Sequence, residues 1–222
     1  MIEDSGRTLS ERLFEQFCEE NRIVASRIEE GELRTPDYEI RFGEHRVVVE
    51  VKQFDPNKED RAHAEMAKRG WPVAFFEDSA KRVRLKIQDA REQLKRLTGG
   101  QCPAMLVLFD NVSPGTIDPT DIKTGMYGDE TVTVAAHRPG DRQPQIIDQG
   151  FGSKRKLTQE HNTTFSAVAL LYESMDRSLR LSVFHNYYAA RPIRPTWLRR
   201  ERVRHFGLNP EQRGVLPEWE EI

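Results

Sequence analysis

The sequence has few of the features that mark a secreted or membrane-bound protein. Only two cysteines, Cys18 and Cys102, occur among 222 residues, so we expect no disulfide framework and predict a reducing compartment. No apolar run approaches the length of a membrane span, and the first five residues do not resemble a secretory signal. These absences predict a cytoplasmic protein that does not associate with membranes.

The sequence also lacks a large excess of charge of either sign. Its 34 basic and 36 acidic residues give a formal net charge of −2. The molecule as a whole therefore exerts little electrostatic attraction on nucleic acid, which would have to bind at local basic patches. Hydrophobic residues make up 37% and charged residues 32% of the chain, a composition that indicates a polar globular protein.

The most informative stretch, residues 35–52, predicts two short strands joined by a tight turn at Gly43-Glu44. Glycine at the first central position of a two-residue turn suits the type II′ geometry. The register that follows pairs Phe42 with His45, Ile40 with Val47, and Asp37 with Glu50. Side chains alternate between the two faces of a strand. One face is therefore a core face, which carries Tyr38, Ile40, Val47, Val49 and Val51.

The other face of this hairpin is charged and carries Asp37, Glu39, Arg41, Glu50 and Lys52. Like charges placed directly opposite each other destabilise a sheet, so Asp37 facing Glu50 indicates a positive group between them. A divalent metal is the simplest such group, because Mg²⁺ binds one or two carboxylates together with waters and phosphate oxygens. Lys52 would then stand beside the metal and orient an attacking water. The alternative is a surface hairpin with a scattered charged face.

Pro36-Asp37, followed thirteen residues after the aspartate by residues 50–52 (Glu-Val-Lys), resembles the PD-(D/E)XK nuclease superfamily. An acidic residue two positions before a lysine is not informative alone, because residues 121–123 (Asp-Ile-Lys) repeat it. Pro36-Asp37, however, is the only Pro-Asp dipeptide in the chain. The resemblance implies that Asp37 and Glu50 bind Mg²⁺, or Mn²⁺, with the main-chain carbonyl of Val51 as a further ligand. It also implies that Lys52 positions or activates the attacking water.

Two helical patterns flank the hairpin. Apolar residues at helical spacing predict a helix from Ser10 to about Glu20, with Cys18 on its apolar face. Glu11, at the edge of that face, resembles the first-helix glutamate of the superfamily, which implies that it points at the same metal. Glu15 is the second choice.

A longer amphipathic pattern predicts a helix over residues 79–98, ended by Gly99-Gly100. Gln93 and Lys86 lie along one edge of its apolar stripe. The resemblance implies that a glutamine or lysine of this helix supports the site. The alternative is that both residues merely border a packed face.

The predicted order of elements is helix, strand, two-stranded hairpin, helix and strand. The last of these is the apolar run at residues 104–109, which suits a strand buried on both faces. This order is the common core of the restriction endonuclease-like fold and covers roughly residues 8–110. We therefore expect a single α/β domain over residues 1–222, with an αβββαβ core of mixed sheet flanked by helices.

The rest of the chain is predicted to be a β-rich extension. Residues 111–190 are expected to form an insertion and additional strands, including strands near residues 131–135 and 146–147. Residues 191–222 form an arginine-rich tail, which suits nucleic acid and a docked C-terminal helix equally well. The candidates for contact with nucleic acid in these segments are Lys154, Arg155, Lys156, Arg199 and Arg200.

These features predict metal-dependent hydrolysis of phosphodiester bonds, with DNA as the preferred substrate, in restriction, repair or phage defence. Two alternatives stay open. One is a catalytically inactive nucleic-acid-binding module of the same fold, and the other is a nuclease that acts on RNA. The sequence is compatible with a homodimer and with a delivery partner such as a helicase, and it specifies neither.

Overall fold

The computed structural model describes residues 7–29, 35–71, 78–112, 116–135 and 145–222. These residues form a mixed α/β protein with one large mixed sheet and helices on both of its faces. The first five residues, on which the argument against a secretory signal rests, lie outside the described part. Among the described residues, no helix has the length and apolar composition needed to cross a membrane.

The α-helices each begin at a side chain that caps the first amide groups. They are α1 (Leu9–Glu20), α2 (Lys58–Lys68), α3 (Ser79–Thr98) and α4 (Pro119–Tyr127). The predicted helix over residues 79–98 is confirmed, and it ends at Gly99, whose φ of 52° lies in the left-handed region that favours glycine. Helix α1 begins one residue before the predicted start at Ser10.

The main sheet contains eight strands in the order β1-β2-β3-β4-β7-β8-β9-β10, and β5 pairs with β6 in a separate hairpin. The strands are β1 (Val24–Arg27), β2 (Tyr38–Phe42), β3 (His45–Phe54), β4 (Ala104–Asp110), β5 (Glu130–Val134), β6 (Ile146–Phe151), β7 (Phe165–Glu173), β8 (Leu179–His185), β9 (Val203–Gly207) and β10 (Glu220–Glu221). The pairs β3/β4, β4/β7 and β8/β9 are parallel, and the other neighbours in this sheet are antiparallel.

The predicted β2–β3 hairpin is confirmed together with its register, since Phe42 pairs with His45 and Ile40 pairs with Val47. Gly43 has a φ of 60°, whereas Glu44 is not among the residues with positive φ. This combination matches the type II′ turn expected from the sequence. The turn and the alternation of side chains therefore specified the same register.

Two hydrophobic layers cover the two faces of the sheet. On one face, Phe14, Phe17 and Cys18 of α1 pack on the core face predicted for the hairpin. On the other face, α3 and α4 pack on Val48 of β3 and on Leu106 and Leu108 of β4. Helix α4 lies so close to α3 that a Cβ atom added at Gly125 would stand 2.5 Å from a methyl carbon of Val83.

The C-terminal half differs from expectation in two respects. Helix α4 occupies residues 119–127, within the segment for which the sequence predicted an insertion and additional strands. The alternative of a C-terminal helix is wrong for residues 191–222, because they form one short 3-10 helix (Pro195–Leu198) and strands β9 and β10. The predicted strands near residues 131–135 and 146–147 are confirmed as β5 and β6. Residues 113–115 and 136–144 of the predicted insertion lie outside the described residues.

Candidate active site

A fork opens in the sheet where β3 continues past the end of β2. Pairing between β2 and β3 reaches Tyr38 and Val49, whereas pairing between β3 and β4 continues to Phe54. Just beyond the end of β2, the Asp37 carboxylate accepts a hydrogen bond of 2.7 Å from the main-chain N–H of Val51. The N–H and C=O groups of one strand residue point to the same side. The carbonyl of Val51 therefore also points into the fork.

Glu50 lies inside the fork on the face of the sheet that packs against α3. Its side chain is fully buried, and one of its carboxylate oxygens forms an ion pair with the ammonium group of Lys52. The two side chains meet because residues two apart on a strand share a face. Lys52 is 14% exposed, so the pair lies at the edge of the protein interior. Burying a carboxylate is expensive unless it is paired, and Lys52 supplies that pairing.

Asp37 is opposite Glu50 when the hairpin register is carried one residue past Tyr38. Burial raises the pKa of Asp37 above its ordinary value. The hydrogen bond from Val51 and the charges of Lys52 and Arg27 oppose this shift without cancelling it, and the charge of Glu11 adds to it. The positive group expected between the two acids is thus partly supplied by the protein itself, through Lys52 and the N–H of Val51.

The N-terminus of α1 borders the fork. The main-chain N–H of Ser10 donates a hydrogen bond of 3.0 Å to the side chain of Gln53 on β3, which holds the helix against this strand. Glu11 is buried, and its carboxylate accepts a hydrogen bond of 2.7 Å from the N–H of Thr8. Glu11 therefore caps the helix as well as placing negative charge near Asp37. Glu15, the second choice, accepts a hydrogen bond of 2.9 Å from the hydroxyl of Tyr38.

Helix α3 places basic side chains on the Lys52 side of the fork. The ammonium of Lys86 and the guanidinium of Arg82 lie 5.7 and 5.6 Å from the centre of the Phe54 ring. Burial lowers the pKa of Lys86, Asp89 opposes the shift, and the positive charges of Lys52 and Arg82 contribute to it. We call Lys52, Arg82 and Lys86 the basic ridge. The sequence indicated Lys86 at the site but gave no reason to select Arg82 from the other bases of the helix.

Gln93, also on α3, contacts the segment that carries Asp37. It is buried, and its side-chain amide donates a hydrogen bond of 3.0 Å to the main-chain carbonyl of Thr35. The Gln93 carbonyl oxygen and the Thr35 hydroxyl are buried, and neither has a hydrogen-bond partner among the residues that the structure describes. Gln93 thus contacts the segment that precedes Asp37 in the chain, and its recorded hydrogen bond is not to Asp37 itself.

The remaining candidate residues lie elsewhere and bond within the chain. Lys154 forms an ion pair of 2.9 Å with Asp129, Arg155 donates to the carbonyls of residues 151 and 152, and Lys156 donates to Gln88. Arg200 donates to the carbonyl of Asn21, at the C-terminal end of α1, and its neighbour Arg199 is exposed. Because α1 is 12 residues long, this end lies roughly 15 Å from Glu11. The structure therefore does not bring these five bases to the fork.

The second acid-x-lysine tripeptide is not part of any such arrangement. Residues 121–123 lie on α4, where Asp121 takes part in the capping box of the helix. Lys123 is buried and forms ion pairs of 2.7 Å with Glu130 and 2.9 Å with Glu218.

The donor set at the fork fits a hard divalent cation. It offers the carboxylates of Asp37 and Glu50 and the carbonyl of Val51, and oxygen ligands of this kind suit Mg²⁺ and Mn²⁺. The raised pKa of Asp37 shows that the chain's own positive groups do not fully offset its burial. Within the ranges that the structure describes, no group of three or more His, Cys, Asp or Glu side chains is arranged to hold a metal ion.

Comparisons with models of known protein families, with curated proteins and with solved structures give no match for this chain. The interpretation of the fork therefore depends on its own geometry and chemistry.

Proposed function

We propose that this protein is a metal-dependent nuclease with a restriction endonuclease-like core and that its substrate is DNA. The observation that carries the proposal is the convergence of Asp37, Glu50 and Lys52 at the fork where β3 continues past β2. The order of elements supports the fold assignment, because α1, β1, β2, β3, α3 and β4 follow one another with only α2 inserted.

Asp37, Glu50 and the carbonyl of Val51 would hold Mg²⁺ or Mn²⁺. When bound, such a metal polarises the scissile phosphate and makes a water more acidic. Glu11 adds a further negative charge near Asp37 and keeps the N-terminus of α1 in place through its bond to Thr8. Gln93 positions the segment that carries Asp37.

Lys52 orients the attacking water and stabilises the charge that develops on the phosphate. Its ammonium group has three N–H donors. One of them is directed to Glu50, which fixes the side chain and leaves two for a water and a phosphate oxygen. Lys52 is thus held in place by Glu50 and is still able to donate to the water and to the phosphate.

The basic ridge gives the phosphate backbone a place to bind next to Lys52. Lys52 and Arg82 both lower the pKa of Lys86, so each of their charges repels that of Lys86, while Asp89 and Asp55 attract it. A bound phosphate would relieve this repulsion, and phosphate contacts position a nucleic acid without reading its sequence. Arg82 is fixed for this purpose by bonds to Asp60 and to the carbonyl of Asp55.

A catalytically inactive nucleic-acid-binding module is the second candidate. One observation favours it, namely that Lys52 already neutralises Glu50 and the N–H of Val51 already bonds Asp37. Such a module would bind nucleic acid through the basic ridge without cutting it. A nuclease that acts on RNA is the third candidate, because the same catalytic groups can hydrolyse the phosphodiester backbone of DNA or of RNA.

Cleavage assays decide between these functions. Supercoiled, duplex, single-stranded and branched DNA, and RNA, are incubated with the protein in Mg²⁺, in Mn²⁺ and in EDTA. Asp37→Asn and Lys52→Ala are compared with Asp148→Asn and Lys68→Ala, which alter residues that are exposed and lie outside the fork. We expect metal-dependent cutting of DNA that both site variants lose and both control variants keep.

Three other outcomes contradict the proposal or part of it. Binding without cutting, unchanged in Asp37→Asn, would establish the inactive module. Cutting of RNA alone would overturn the choice of DNA. Cutting that survives both site variants would place the active site elsewhere. Light scattering of the purified protein tests whether it forms a homodimer, and a purified helicase added to the assay tests whether cleavage needs a delivery partner.

A further inference from the structure

A groove opens on the same face of the sheet as Lys52, two strands away. Lys52 pairs with Leu108, Leu108 with Leu170, and Leu170 with Ser182. Residues paired in this way lie side by side on one face, so they form a row across the sheet. Leu170 and Ser182 line a groove with a volume of about 520 Å³. At a strand spacing of about 4.8 Å, the groove begins roughly 10 Å from Lys52.

The floor of the groove is apolar and aromatic. Phe184, which is fully buried, stacks beneath Phe206 at a ring-centroid distance of 5.2 Å and an angle of 17°, and the Arg204 guanidinium lies 5.0 Å from the centre of the Phe206 ring. Tyr172 contributes further aromatic surface. The volume falls in the range of small-molecule sites, roughly 300–1,000 Å³. Flat ring systems bind such surfaces by stacking.

The rim of the groove carries hydrogen-bond acceptors and negative charge. Asp110, Asp118 and Glu173 line it. Main-chain N–H groups already donate to Asp110 and to Asp118, but a carboxylate has about four acceptor positions, so both side chains can accept a further hydrogen bond. The one guanidinium in the lining, that of Arg204, is engaged by Glu221 through bonds of 3.1 and 2.5 Å. Carboxylates repel phosphate and accept hydrogen bonds from N–H groups. The groove therefore suits an uncharged, flat ligand with N–H donors on its edge.

The geometry points to a nucleobase site. A base that carries an exocyclic amino group stacks in the groove, on the nucleotide strand whose phosphates lie along the basic ridge. The amino group donates to the acidic rim, while the phosphates stay with Lys52, Arg82 and Lys86. This inference deepens the proposed nuclease function and depends on it for the strand, but the groove itself is testable without cleavage.

The first test measures stacking directly. Single-stranded oligonucleotides that each contain one 2-aminopurine, placed at successive positions, are titrated with protein in EDTA. We expect the fluorescence to be quenched at one or two neighbouring positions and unchanged at the others. Ser182→Phe fills the floor of the groove and should abolish this quenching. Ser153→Phe places the same bulk on an exposed loop and should preserve it.

The second test measures how much the exocyclic amino group of the base contributes to binding. Adenosine, purine riboside and inorganic phosphate are titrated separately and followed by NMR. We expect adenosine to bind about tenfold more tightly than purine riboside, and inorganic phosphate to leave the signals of the groove residues unchanged. If Ser182→Phe does not fold, Tyr172→Ala replaces it, with Tyr187→Ala as its matched control because Tyr187 is exposed and lies outside the groove. Tyr172→Ala should weaken adenosine binding about fivefold.

These outcomes distinguish a failure of the nucleobase site from a failure of the proposed nuclease function. Adenosine binding that survives both groove variants, or no adenosine binding at all, overturns the nucleobase site even if the protein cuts DNA. Quenching that is lost in Ser182→Phe supports the site even if no cleavage is detected, and the nuclease proposal then fails alone. Equal quenching at every position also overturns the site, because it indicates stacking without a defined pocket.

Discussion

Residues 50–52 and residues 121–123 share one pattern, an acidic residue followed two positions later by lysine, and the fold uses them in opposite ways. On strand β3, residues two apart share a face, so the acid and the lysine form an ion pair at the fork. On helix α4, residues two apart lie about 200° apart around the axis. There the acid caps its own helix, while the lysine reaches Glu130 and the C-terminal segment.

The comparison shows that the tripeptide has chemical meaning only together with its secondary structure. On a strand it gathers two charges at one point, where they can serve a reaction. On a helix it separates them, and the two side chains contact different parts of the fold. We therefore expect variants of residues 50–52 to affect catalysis strongly and variants of residues 121–123 to affect stability alone.

The largest difference is expected when Lys52 is removed. Loss of a group that stabilises charge in a transition state typically lowers the rate about 100- to 1,000-fold, so we expect a loss of this size in Lys52→Ala. The variant also leaves Glu50 buried without its ion pair, which destabilises the fold. The double variant Glu50→Gln/Lys52→Met should be inactive yet more stable than Lys52→Ala. Urea unfolding beside the cleavage assay checks both statements, and a double variant less stable than the single one would contradict them.

Lys123→Ala is expected to reduce stability without reducing activity. Burial lowers the pKa of Lys123, but its hydrogen bonds to Glu130 and Glu218 outweigh this and raise it. Its two partners are 28% and 73% exposed, so the loss should fall below that of a fully buried pair, at roughly 2 kcal/mol. Urea unfolding measures the loss, with Lys68→Ala as the control on an exposed lysine. If Lys123→Ala lost activity at a temperature where it is folded, residues 121–123 would no longer differ from residues 50–52 in affecting stability alone.

Gln93→Ala should have a smaller effect that lies between these two cases. Its amide bonds the carbonyl of Thr35, so the variant loosens the segment that positions Asp37. Changes to groups that support a metal site typically cost 10- to 100-fold, and we expect about tenfold in activity with about 1 kcal/mol in stability. Gln88→Ala, an exposed glutamine on the same helix, is the matched control and should leave activity unchanged. Equal activity in both variants would show that Gln93 does not position the site.

The smallest effects concern the pH dependence of stability at Asp37 and Asp121. Burial raises the pKa of both carboxyl groups, and that of Asp121 reaches about 6, with the charges of Asp118, Asp78 and Asp110 adding to the shift. A carboxyl whose pKa is raised on folding contributes stability below its unfolded pKa, and this contribution is lost as the pH rises through the folded value. Both acids therefore oppose folding at pH 7.

Asp37→Asn and Asp121→Asn should each stabilise the protein at pH 7, by less than about 1 kcal/mol. The gain should shrink as the pH falls from 7 to 4, because the wild-type carboxyls then become protonated. Thermal unfolding across this range checks the sign. Only Asp37→Asn should lose nuclease activity, because Asp121 lies on α4 outside the fork. A gain that grows toward low pH in either variant would contradict the assignment.

Local signals were sufficient for the elements that position the candidate site. The turn at Gly43-Glu44 and the alternation of valines fixed the hairpin register, and the structure has the same pairs. The apolar stripe and the terminal glycine of α3 were sufficient to place its ends. Helix α4 was missed although its sequence contains a capping aspartate, a proline at the first turn and Asp121 at the third position. The polar residues and the glycine of this segment favoured the prediction of irregular structure over a helix.

The sequence by itself determined the hairpin, its register and the face that carries Asp37, Glu50 and Lys52, because these depend on contacts between residues close along the chain. Only the tertiary structure decided that the N–H of Val51 holds Asp37, that Arg82 joins Lys86 beside Lys52, and that a groove lies two strands away. These features depend on pairing between β3, β4, β7 and β8 and on the packing of α3. Such contacts join residues up to 62 positions apart in the chain, such as Met105 and Ala167, which no local pattern encodes.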